Sequence, residues 1–203
     1  IGLVPDVGGS LMLAHAPGRT GDYLAISAAR MDAGDAIYAG FADRFIPEAE
    51  WPGIKEALTQ GFALPEHPAP ASKLSTKQDI LDAAFFGQTP GDILRALDDI
   101  DDDLARDAAK KIKRHSPLAM ACGLETLRRL RSTDDITRAL ELEYRFTARS
   151  MEHGDFLEGI RAQIIDKDKA PKWRHDLNAL PMSDVAKMLR PLGPDTLNLE
   201  DPA

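Results

Sequence analysis

The chain has 203 residues, enough for one ordinary domain or for a small domain with a helical extension. Its 43% hydrophobic and 29% charged content exclude a disordered tail, and its net charge of −8 argues against a nucleic-acid surface. No apolar run reaches the length needed to cross a bilayer, so neither nucleic acid nor membrane is expected as a partner. A single cysteine, Cys122, rules out an intrachain disulfide. It fits a reducing compartment: a bacterial-type cytoplasm, with a mitochondrial matrix as the alternative.

Ile1-Gly2-Leu3-Val4 is an apolar, strand-like run that ends in Pro5. Asp6 follows at a turn, and Gly8-Gly9 open a helical pattern that stops at Pro17-Gly18. A second helix is predicted from Thr20 to Ala29, and a short third one after Asp32, closed by Gly40. Phe41 to Ile46 alternates and is predicted as a short strand, while Glu48 to Gln60 is helical. Leu64 to Ala71 carries three prolines in eight residues and reads as an extended connector. The expected division is residues 1–63, a connector over 64–74, and a helical region over 75–203.

Beyond the connector the pattern is helical almost throughout. Ile80, Leu81, Ala84 and Phe85 share one face, and Thr89-Pro90 starts the next helix with proline at its first position. Five aspartates between Asp98 and Asp103 form a solvated turn that lacks the glycine spacing of a calcium loop. Longer helices are predicted from Asp103 to His115, Pro117 to Leu130 and Asp134 to about Met151, the second opened by a Ser116 cap. Asp155 is placed to cap a helix running to Ile165, and Phe156, Ile160, Ile164, Ile165 and Trp173 are spaced to cover one apolar surface. After Trp173 the pattern weakens to one amphipathic helix from Ser183 to Leu189. The fold class expected for this chain is therefore mainly α.

The chemistry concentrates near the start. A carboxylate at the Asp6 turn serves either as a catalytic group or as a helix N-cap, and glycines at 8 and 9 let a ligand or another backbone approach. The five histidines lack metal-ligand spacing, Ser10 is not in a G-x-S-x-G elbow, and Cys122 reads as a small core residue. Gly8-Gly9 is not a dinucleotide fingerprint, and no cofactor is implied. Glu158 and Arg161 form an i,i+3 pair on a helix surface. The lysines at 167, 169 and 172 read as a solvated charge run.

Ile1-Gly2-Leu3-Val4-Pro5-Asp6-Val7-Gly8-Gly9 resembles the G-x-x-P-x-x-G-G stretch of the crotonase (enoyl-CoA hydratase/isomerase) superfamily. The aspartate after the proline resembles the 3-hydroxyisobutyryl-CoA hydrolase branch, where hydratases usually carry glycine. Asp155-Phe156-Leu157-Glu158-Gly159-Ile160-Arg161-Ala162, Ile165-Asp166-Lys167-Asp168 and Pro171-Lys172-Trp173 are similar to the C-terminal signature of those hydrolases. Ser116-Pro117-Leu118-Ala119 resembles the family's S-P-x-(S/A) helix start.

The resemblance implies an α/β spiral fold when complete, of which this chain would hold the end of the ββα core and a C-terminal helical region. It implies cleavage of an acyl-CoA thioester, with CoA as part of the substrate and no separate cofactor. Asp6 would be catalytic, orienting the substrate hydroxyl or water, and Pro5, Asp6 and Gly8 would touch substrate. Lys167, Lys169 and Lys172 flank a family region that often lies near CoA phosphates. The two oxyanion donors and a glutamate would lie upstream of Ile1, on an N-terminal half present as a separate or cleaved chain. The isolated chain would then be inactive, and a homo-oligomer is expected. Enoyl-CoA hydration or isomerisation is the alternative within the fold, and a non-catalytic helical assembly module the alternative outside it.

Overall fold

The computed structural model describes residues 1–199. Its α-helices are α1 (Gly9–His15), α2 (Thr20–Ser27), α3 (Ala33–Tyr38), α4 (Trp51–Thr59), α5 (Gln78–Ala84), α6 (Pro90–Asp98), α7 (Asp103–Ile112), α8 (Pro117–Leu130), α9 (Ile136–Thr147), α10 (Phe156–Ile160) and α11 (Met182–Leu189). Local chemistry sets many of the starts. Asp32, Thr89, Asp102, Ser116 and Asp135 each accept a hydrogen bond from a backbone N–H of the first turn that would otherwise be unpaired. At Thr89 the bond is reciprocal, because the Asp92 carboxylate accepts from Thr89 N at 3.0 Å. Among the aspartates of the 98–103 turn, Asp102 caps α7, and Asp101 and Asp103 pair with Arg106.

Helix α8 is the centre of the molecule. Eleven of its fourteen residues are buried, so it is covered on nearly every side rather than along one stripe. Against one side lies the main core, with Leu13, Ile26, Leu81, Phe85, Ile93 and Ile112. This core draws on both sides of the proline-rich connector. Tyr23 and Phe85 meet in it edge to face at 5.5 Å between centroids. A second cluster joins Val4, Leu118, Cys122 and Phe146 to Val185, Met188 and Leu189 of α11. Burying three such side chains contributes roughly 1.5–3 kcal/mol each, so α11 belongs to the core rather than to a weak tail. Arg149 fixes its C-terminus by donating to the carbonyls of Met188 at 3.0 Å and Arg190 at 2.6 Å.

Both expected strands are absent among the described residues. Ile1–Val4 forms no strand: Gly2 has a φ of 74°, outside the extended region, and no neighbouring strand is present there to complete a ladder. Phe41–Ile46 is also irregular: Asp43 and Arg44 are both exposed, so the alternation in sequence does not become alternation in burial. The helical part of the expectation holds, and the chain is mainly α.

Candidate functional site

At the Asp6 turn, Gly9 N donates to the Asp6 carbonyl at 2.8 Å, and α1 begins at Gly9 with Gly8 as its cap residue. Asp6 therefore sits two residues before the cap position. The donors of the first turn go instead to Glu143 on α9, over 130 residues away. Gly8 N donates to Glu143 Oε2 at 2.9 Å, Ser10 N donates to Oε1 at 3.1 Å, and Ser10 Oγ donates to the same Oε1. Glu143 is only 3% exposed. The Asp6 side chain is exposed, and among the described residues no group bonds its carboxylate. The cap alternative for Asp6 is thus excluded, and with it any use of the α1 donors to hold its charge.

Between Asp6 and Gly8, Val7 is forced to a φ of 57°, in the left-handed region that a β-branched residue avoids. Its side chain is 87% exposed, so burial does not stabilise this conformation. Gly8 has a φ of 81°, and a Cβ on it would lie 2.6 Å from Ile136 Cδ1. Any other residue there would be strained by the positive φ and would have to push the tip of the Ile136 side chain aside. Pro5 packs lightly beside Gly123 of α8, where an added Cβ would meet Pro5 Cδ at 3.6 Å. Sequence reasoning missed Glu143. Its signal was a carboxylate inside the buried stripe of α9, flanked by Ala139, Leu142 and Phe146 at helical spacing.

The second motif block touches the first. A Cβ on Gly2 would sit 3.0 Å from the Asp155 carbonyl, and Gly159 lies so close to the carbonyl of Ile1 that no side chain fits between them. Asp155 occupies the cap position of α10 but makes no side-chain cap bond, contrary to expectation. It is 2% exposed, and its carboxylate is used in tertiary ties instead. Ser116 Oγ donates to Oδ2 at 2.6 Å, and Arg174 N donates to Oδ1 at 3.0 Å. This links the start of α8 to the segment after α10.

Glu158 and Arg161 form a double hydrogen bond at 2.8 and 2.9 Å, and Arg161 also reaches Asp166, Asp168 and the carbonyl of Ala170. Arg161, together with a hydrogen bond from Lys172 N, holds the Glu158 carboxyl down to about 2. The expected continuous apolar surface does not form. Ile164 and Ile165 are 55% and 69% exposed, because after Ile160 the helix widens into a π turn over Arg161–Ile165 that presents both outward.

Residues 1–189 match the enoyl-CoA hydratase/isomerase family. The chain belongs to that family. The 3-hydroxyisobutyryl-CoA hydrolase, mitochondrial, of Rattus norvegicus is 32% identical over 95% of this chain and 54% of its own length. The crystal structure of an enoyl-CoA hydratase from Rhodobacter sphaeroides 2.4.1 superposes with a TM-score of 0.95 at 53% identity, covering 98% of this chain and 59% of that one. A carnitinyl-CoA dehydratase structure from Mycobacterium thermoresistibile gives 0.88 at 33% identity, with the same coverage of 98% and 59%. The chain spans about half the length of the curated relatives it matches.

In this hydratase/isomerase family member the three lysines do not line one cavity. Lys169 lines a cavity of about 320 Å³ with Leu3, Arg114, Met120 and Trp173, whereas Lys167 and Lys172 lie outside that lining, as does Asp6. Cys122 is fully buried, and burial pushes its thiol far above the ordinary value, which suits packing rather than nucleophilic attack. His115 is held by the Ile26 carbonyl at 2.8 Å. Among the described residues no group of three His, Cys, Asp or Glu side chains is gathered as a metal site, and no helix is long and apolar enough to cross a membrane.

Proposed function

We propose that this chain carries part of the catalytic site of a CoA-thioester hydrolase. The reaction is hydrolysis of 3-hydroxyisobutyryl-CoA by water to 3-hydroxyisobutyrate and free CoA, a step of valine catabolism. The observation that supports it most is the Asp6 carboxylate, exposed on a strained turn whose neighbouring helix donors are already occupied by Glu143. A carboxylate with no structural bond to satisfy is free to face a substrate. The hydrolase names of the curated relatives support the same reading.

Thioester hydrolysis needs a polarised carbonyl, for which two backbone N–H donors supply the largest share of stabilisation, and a carboxylate near the carbonyl carbon. Asp6 orients the substrate hydroxyl or the attacking water. The nucleophile or base is the glutamate that the family resemblance puts before Ile1, and the oxyanion donors lie on the same N-terminal half. Pro5 and Gly8 shape the turn against the substrate. Lys169 beside its cavity is the lysine best placed for a CoA phosphate. In this reading the working enzyme is a homo-oligomer of a reducing compartment, a bacterial cytoplasm or else a mitochondrial matrix, and these 203 residues alone are inactive.

Assay of the natural protein with 3-hydroxyisobutyryl-CoA and crotonyl-CoA tests the proposal, with CoA thiol release expected only from the first. Hydration of crotonyl-CoA without thiol release would overturn it in favour of a hydratase. That second reading is favoured by the 53% identity to the Rhodobacter sphaeroides protein, whose structure is described as an enoyl-CoA hydratase.

A further inference from the structure

We infer that Glu143 is the positioning residue for Asp6, holding the turn from which the aspartate faces its substrate. The inference rests on the proposed role of Asp6. Glu143 is withdrawn from water, and a buried carboxylate persists only where donors replace its hydration. All three hydrogen bonds that its carboxylate accepts come from the segment just after Asp6: two from the backbone, Gly8 N and Ser10 N, and one from Ser10 Oγ. The carboxylate cannot drift, because Ala139, Leu142 and Phe146 bury the same face of α9. Ile136, one end of that helix, braces Gly8 from the side.

The two contacts explain why Val7 keeps a φ of 57° although its exposed side chain does nothing to hold it there. Strained backbone persists where surrounding structure over-determines it. Glu143 also settles a competition. Free N–H groups at the start of α1 would attract the nearest carboxylate, and along the chain that is Asp6. By occupying those donors, Glu143 keeps Asp6 from folding back into a cap. Misplacement of a catalytic group by an ångström lowers the chemical rate without a matching loss of binding.

The test is a double-mutant cycle in the natural protein, reading CoA release from 3-hydroxyisobutyryl-CoA. Gln at position 143 keeps one acceptor and turns an amide N–H toward the other donors. Glu143→Gln should lower kcat about tenfold or more with KM within about threefold, and cost less than about twofold when Asp6 is already Asn. An unchanged kcat, or the same fold loss in both backgrounds, would overturn the inference and leave the role of Asp6 standing. An Asp6→Asn enzyme with full turnover would overturn both. Should Glu143→Gln fail to fold, Ser10→Ala removes one donor and leaves both backbone bonds. It should lower kcat about threefold, only while Asp6 is present, and an additive loss or none would overturn the inference.

Discussion

Two segments carry the family-like residues of this chain, and they treat their polar groups in opposite ways. Around Asp155 each key polar side chain has protein partners: Asp155 takes Ser116 and Arg174, and Glu158 and Arg161 hold each other while Arg161 gathers Asp166 and Asp168. Around Asp6 the backbone is strained, Val7 is exposed, and the carboxylate has no partner among the described residues. Saturated groups rigidify a fold, whereas an exposed carboxylate on a braced turn is available for chemistry. The two segments are also in contact, through Gly2 on Asp155 and Gly159 on Ile1. One serves as the bed on which the other is laid.

The contrast is most strongly tested at Gly159. A valine there would drive its side chain into the Ile1 backbone and should lower stability by about 3 kcal/mol or more, measured by urea unfolding. A variant unfolding within about 1 kcal/mol of the parent would show that the segments need not touch. At Asp6 the expected pattern reverses. Asp6→Asn should cut turnover of the natural protein at least about tenfold, near 1.4 kcal/mol, and move stability by no more than about 0.5 kcal/mol. A comparable loss of stability would make Asp6 structural like Asp155.

A smaller effect is expected at Arg161, where lysine cannot reproduce the double hydrogen bond to Glu158. Arg161→Lys should lower the urea unfolding midpoint slightly, by less than the Gly159 variant, and leave kcat unchanged. The smallest effect concerns acid. Glu158 is held down to about 2 from an ordinary 4.5, so its contribution is complete above about pH 4.5 and is lost as pH falls toward 2. Melting temperatures taken across that window should fall less steeply for Glu158→Gln than for the parent. Parallel curves would mean that the pair contributes nothing to folding.

Much of the helix plan was legible because its signals are local. Thr89-Pro90 and Ser116-Pro117 each name a helix start through donors within three residues, and the structure begins helices at both. Weight along the chain was harder to read. Val185, Met188 and Leu189 look like an isolated amphipathic turn in sequence, yet they close the second core against Leu118 and Phe146. Conversely, Ile164 and Ile165 look buried by spacing and are turned outward by a π turn.

The amino-acid sequence by itself determined where the chain turns at Asp6, which helices it forms and that they are mainly α, because these follow from backbone chemistry within a few residues. Only the tertiary structure decided which carboxylate caps α1. A helix end accepts any well-placed acceptor, and whether that is Asp6 nearby or Glu143 far along the chain depends on how α9 packs beside it. The absence of strands among the described residues was decided the same way, since a strand needs a neighbour that no local pattern can supply.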